Sequence, residues 1–420
     1  MGNSLDLSAE TRATFGGQYY KDLPDSVSDA FDDFEIEYDE IEDATDKEIK
    51  DFFQRLQEGL PLTGSEKLNS VDSKLRDYCK ALSSNLFFAD NVLLTDKRYA
   101  YFDILSKAAA IEIEGIEVGL RFEDLRAVFE SQEMFSQDSM VAKRLEAALS
   151  FLSGGLPNSA PITRNRSVTQ SIITLACALQ KGGVPLDESA EFGRFCNHFA
   201  SELAKQVELG QKATDADYLA FQRTINANTR QGAKIRHEIL LRKLLQFSPS
   251  LAGGSLAAEA LSGGLANAVK KSGAEIANLV SDINDAYAAK NGSDFFKSTN
   301  KTTKALSQIG ILIDSFDKYR EFIDSLYFLI WEGPGQKLRD SSPPSSFSDV
   351  NKLRTNLQHD VDHGKPAGVK KKNKDLGAAF ERYAGVPSPE VASPERFPIM
   401  QSNLLNALKQ DLLDMRALYV

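Results

Sequence analysis

The chain has 420 residues, a formal net charge of −11 and a hydrophobic fraction of 42%, enough for two or three domains with sizeable cores. Its cysteines, Cys79, Cys177 and Cys196, are odd in number and far apart, which argues against a disulfide framework and a cysteine metal site and points to a reducing compartment. No stretch is apolar for long enough to span a bilayer, and Met1–Asp6 lacks the features of a signal peptide, so a soluble cytoplasmic protein with no membrane partner is expected.

Charge is unevenly spread. Residues 1–60 hold 17 acidic and 5 basic side chains, whereas residues 352–382 hold 8 basic and 4 acidic ones. The whole chain is too acidic to adhere to nucleic acid by bulk charge, but its C-terminal part can attract phosphate locally.

In chain order, nearly every patterned segment reads as helix, so the expected fold class is mainly α. Alternation of period two occurs only at Phe34-Glu35-Ile36-Glu37-Tyr38. Asp46–Leu56 carries Ile49, Phe52, Phe53 and Leu56 on a helical stripe. Thr63 to Glu66 reads as a capping box for the next helix. Helices follow at Arg98–Ile113, Phe122–Phe135 and Met140–Leu152, the last closed by Gly154-Gly155-Leu156-Pro157. A second block, with Ser167–Leu179, Glu191–Leu209 and Arg236–Phe247, extends to about residue 249. Residues 250–274 are rich in Gly, Ala and Ser, and Gly253-Gly254 and Gly263-Gly264 weaken helix there. This stretch reads as a boundary with a short helix inside it.

The last block, from about residue 275, is better patterned. Phe316, Tyr319, Ile323, Leu326, Tyr327 and Ile330 form one apolar stripe ended by Gly333-Pro334-Gly335. After a proline-serine loop at Ser342–Ser348, the next helix is expected to be capped by Ser348 or Asp349 and stopped by Gly364-Lys365-Pro366. Leu404, Leu405, Leu408, Leu412 and Met415 mark a final helix. The expected product is a small antiparallel bundle.

That block contains the richest local chemistry. Arg354 and His359 have four residues between them in Leu353-Arg354-Thr355-Asn356-Leu357-Gln358-His359-Asp360, and two of the chain's four histidines fall in His359-Asp360-Val361-Asp362-His363. A fixed cation beside a titratable imidazole suits metal-free RNA cleavage. The same residues also read as a solvated helix end, with Arg and His capping carbonyls or pairing with Asp. Lys370-Lys371-Lys372-Asn373-Lys374 follows closely, as a phosphate-binding run or as a solvated loop. A zinc site on His359 and His363 lacks a third protein ligand, so no metal is expected. Gly253-Gly254 and Gly263-Gly264 form no phosphate loop, because no Gly-Lys-Ser/Thr follows, and no cofactor is expected. Arg230 and His237 offer a rival Arg/His spacing, read as the basic surface of a structural helix.

Two resemblances follow from these residues. Gly16-Gly17-Gln18-Tyr19-Tyr20-Lys21-Asp22-Leu23-Pro24, with Phe52-Phe53-Gln54-Arg55-Leu56 through Leu68-Asn69, resembles the N-terminal ParB-like region of the GmrSD-type restriction family over residues 1–155. The family's Asp-Gly-Gln-Gln-Arg motif is absent. The N-terminal part is therefore expected to be a helical remnant of an α/β domain, in a truncated, engineered or decayed member without nucleoside triphosphate hydrolysis. Residues 156–249 would extend it.

Arg354 to His359 within a helical bundle resembles a HEPN domain over residues 275–420. The position after the arginine, commonly Asn, Asp or His in that family, is Thr355, with Asn356 one place later. The GmrSD-type family often ends in an HNH nuclease domain instead, but no histidine follows His363. The HEPN resemblance implies a metal-independent endoribonuclease of prokaryotic antiphage defence, in which a ribose 2′-OH attacks the adjacent phosphate. His359 would be the general acid or base, Arg354 would stabilise charge on the phosphate, and Asp360 and His363 would orient the site. It also implies RNA as partner, a homodimer and a possible defence-system partner protein. Arg354 and His359 are ~140° apart on a straight helix, which favours a site shared by two chains. The rival expectation is a catalytically inactive nucleic-acid-binding or dimerisation module.

Overall fold

The computed structural model describes residues 19–33, 35, 45, 48, 49, 52, 62–251, 254–339, 342–358 and 377–419. Residues 1–56 form one unit and residues 57–420 another. The described part of the first unit contains a 3-10 turn at Tyr20–Asp22 and helix α1 (Asp25–Asp32), with the Tyr20 and Phe31 rings 5.6 Å apart. The period-two segment at 34–38, apart from Glu35, and most of the 46–56 stripe lie outside the described residues.

The second unit is mainly α, and its described residues hold no strand, only an isolated bridge between Val92 and Ala160. Its first helices are α2 (Gly64–Leu68), α3 (Lys74–Leu82), α4 (Ala100–Glu114), α5 (Phe122–Ser131) and α6 (Met140–Gly155). The capping box forms as expected. Thr63 Oγ1 accepts from the Glu66 amide, and the Glu66 carboxylate accepts from the Thr63 amide at 2.8 Å and from Arg98 Nη2 at 2.7 Å.

Next come α7 (Arg166–Lys181), α8 (Ser189–Leu209), α9 (Ala216–Thr224) and α10 (Arg230–Phe247). Helices α4 and α7 are buried along most of their length, because each is apolar or small on nearly every side. They pack together at the centre, with α3, α5, α6 and α10 against them. Several polar groups caught there are matched. Lys107 Nζ lies 2.7 Å from Asp103 Oδ2, and the Arg236 guanidinium donates to Ser171 Oγ and to the carbonyls of Thr224 and Ala227.

Glycine 155 does more than end α6. An added Cβ on Gly193 of α8 would fall 1.9 Å from the Gly155 carbonyl oxygen. The two helices therefore cross backbone to backbone, and only glycine permits that approach.

From residue 254 the described part of the Gly-rich stretch is helical. Gly254–Ala260 is α11, Leu261–Leu265 is a π-turn, and Ala266–Asn291 is the long helix α12. Leu256, Ala257, Leu265 and Val269 are buried there, and packing of these side chains outweighs the weak propensity of the glycines. Beyond it lie α13 (Asn300–Gln308), α14 (Phe316–Tyr327), a π-turn at Phe328–Glu332, α15 (Gln336–Arg339), α16 (Ser345–Gln358), helical residues 377–384 and α17 (Arg396–Tyr419).

Buried apolar side chains form two clusters, one running from Leu68 to Leu265 and one from Val269 to Met415. Ile399 of α17 joins the first, and α17 packs along α12. Asn403 ties the two together, donating to the carbonyls of Leu245 and Tyr383 at 2.9 Å each.

The start of α16 corrects a sequence expectation. Neither Ser348 nor Asp349 caps it, because the helix already begins at Ser345. Asp411 of α17 supplies the acceptor, taking the Ser346 amide at 3.0 Å and its hydroxyl at 2.6 Å. Asp349 is buried one turn further in, where it accepts from Tyr383 Oη at 3.0 Å and from Arg382.

Candidate functional site

Helix α16 presents Phe347, Val350 and Leu353 to the second core, a three-residue rhythm that fixes its rotation. Arg354 follows Leu353 and so emerges at the edge of that packed face, with 26% of its side chain exposed. It lies across the end of α14. Its Nε donates to Asp324 Oδ1 at 3.4 Å, and its Cζ stands 4.1 Å from the centre of the Tyr327 ring and 6.0 Å from that of Phe328. Lys301 Nζ of α13 sits 4.0 Å from the Phe328 ring centre. Two cations thus lie over two aromatic rings, an arrangement suited to stacking on bases and attracting phosphate.

The apolar stripe read on α14 is therefore divided. Tyr319, Ile323, Leu326 and Ile330 are buried, whereas Tyr327 is half-buried at the rim, under Arg354. The sequence reading missed Asp324, Phe328 and Lys301. One signal was available: Asp324 and Tyr327 are three apart and share a helix face.

Thr355 turns its hydroxyl back onto α16, donating to the Asn351 carbonyl at 2.7 Å. Asn356 is half-buried. His359, Asp360, His363, Lys370, Lys371, Lys372 and Lys374 lie outside the described residues.

The rival spacing on α10 is not a basic surface. Arg230 is exposed, but His237 is buried, with Nε2 2.7 Å from Glu259 Oε1. Arg236 between them is buried too, and desolvation pushes its guanidinium down to about 10. All three cysteines are free and buried, and burial raises each thiol well above its ordinary range, which suits packing rather than nucleophilic chemistry.

The fold and this face define a mainly α-helical protein with a cation-aromatic surface on its C-terminal helices. No described helix is long and apolar enough to cross a membrane. Comparison with family models, with curated proteins and with solved structures finds no match.

Proposed function

We propose that the C-terminal helices engage single-stranded RNA through the face built by Arg354, Tyr327, Phe328 and Lys301. The observation that carries this reading is the Arg354 guanidinium, stacked at 4.1 Å on Tyr327 while still part-exposed. A held guanidinium plane is a platform for an unstacked base, and its charge draws phosphate. The lysines at 370–372 and Lys374 extend the same attraction in sequence. Pairing with Asp324 favours a binding role for Arg354, since a carboxylate already neutralises part of its charge.

A second reading adds cleavage. It rests on the resemblance at Arg354 and His359: the chain is a metal-independent endoribonuclease of a defence system, with His359 exchanging the proton and Arg354 holding the phosphate. Phosphate would then have to displace Asp324 from Arg354. A two-fold pair of chains would set the same surface against itself and bring two such sites together.

Titration of labelled single-stranded RNA with the full chain, in EDTA, separates the readings. Binding without cleavage supports the first, and cleavage supports the second. Absence of salt-sensitive binding removes both. Sedimentation of the full chain at micromolar concentration tests the pair.

A further inference from the structure

A cavity of about 200 Å³ opens beside α10 and the π-turn that follows α11, far along the chain from Arg354. Ile116, Leu241 and Leu265 give it an apolar lining. Most charges in its wall are already matched. Lys234 pairs with Glu117, Arg242 Nε lies 3.0 Å from Asp217, and His237 Nε2 lies 2.7 Å from Glu259.

Two polar groups are left over. Glu238 lines the cavity, half-buried, and makes no hydrogen bond or ion pair among the described residues. Desolvation lifts its carboxyl above the usual range, against the pull of Lys234 and Arg242. His237 is the other, with only 5% of its side chain exposed. Its Nδ1 is enclosed with no partner. An unmatched buried polar group is costly and is found where something else supplies the partner. The wall also includes Leu265, the last residue of the π-turn Leu261–Leu265, a kind of turn frequent at functional sites. Within that turn Gly264, at φ +93°, brings the backbone beside Glu238, whose Oε2 would lie 3.9 Å from an added Cβ.

We propose that this cavity binds a small organic cation, an ammonium or amidinium group on an apolar body about one aromatic ring in size. The head supplies donors to Glu238 and neutralises its charge, and the body covers Leu241 and Leu265. The size follows from volume, since an apolar cavity of about 150 Å³ accepts benzene. An organic cation is favoured over a metal ion because no three His, Cys, Asp or Glu side chains converge among the described residues.

Benzylamine and its neutral counterpart benzyl alcohol, titrated into the full chain and followed by ligand-observed NMR, test this. Benzylamine should bind with a Kd on the order of 1 mM, and benzyl alcohol at least about fivefold more weakly. Glu238→Gln should erase that difference by weakening benzylamine alone. Ile116→Trp, at the half-buried edge, should weaken both and keeps the test informative if the Gln variant misfolds by circular dichroism. Equal binding of the two probes, an unchanged benzylamine affinity in a folded Glu238→Gln chain, or no benzylamine binding at all would overturn the proposal.

Discussion

The guanidinium carbon of Arg354 lies 4.1 Å from the centre of the Tyr327 ring, while its Nε donates to Asp324 on the same helix as that ring. The contact joins α16 to the end of α14 and fixes a part-exposed cation in one place. A surface cation–π contact contributes about 0.5–1 kcal/mol and an exposed ion pair about 0.2–1 kcal/mol. Such a contact is weak enough for RNA to replace it.

Replacing Arg354 should therefore separate binding from folding. Arg354→Ala is expected to weaken single-stranded RNA binding about tenfold while changing unfolding free energy by no more than about 1 kcal/mol. Arg354→Lys keeps the charge and loses the plane, so it should restore only part of the affinity. Fluorescence anisotropy at fixed salt and urea unfolding read the two effects. Full affinity in Arg354→Ala would place RNA elsewhere.

If the chain cuts RNA, His359 is the group to remove. His359→Ala should lower the rate in EDTA by a factor of about 100 to 10,000, the usual worth of a general acid or base. RNA cleavage at an undiminished rate in this variant would take His359 out of the mechanism.

Gly193→Ala should destabilise the fold by about 1–3 kcal/mol, through overpacking at the crossing of α6 and α8. The added Cβ would meet the Gly155 carbonyl at 1.9 Å, and backbone cannot swing away as a flexible side chain can. The midpoint of urea denaturation should fall with an unchanged slope. A midpoint equal to that of the unaltered chain would contradict the close crossing.

Asp217 gives the fold a pH dependence. Burial opposes its ionisation, but Lys243 and Arg242 outweigh that and hold the carboxyl down to about 2, from an ordinary 3.8. A lowered folded value means the stabilisation is complete above the unfolded value and is lost as pH falls through the folded one. Asp217→Asn should therefore cost about 2 kcal/mol at pH 7, and the gap should close between about pH 4 and pH 2. A gap that stays constant over that range would mean the ion pairs do not act through Asp217's charge.

The sequence by itself determined the mainly α-helical fold of the described residues and several helix limits to within a few residues, among them those of α4, α6, α7 and α8. Periodicity and end signals are local, and Thr63 with Glu66, or Gly154-Gly155-Leu156-Pro157, carry them within a few residues. It also offered Arg354 as a candidate, from its spacing to His359 alone. What lies under Arg354 was not legible, because Asp324, Tyr327 and Phe328 are about 30 residues away and meet it only when α14 packs on α16. The start of α16 was misread for the same reason: its acceptor is Asp411, 65 residues away in sequence. Gly155 signalled a helix end, but its closeness to Gly193 belongs to the crossing of two helices. The Gly-rich stretch, read as a boundary with a short helix inside, holds α11 and the start of α12, because burial of Leu256, Leu265 and Val269 outweighs local propensity. Local pattern sets which segments become helices. Packing decides which faces meet, and a site made from two helices exists only after they do.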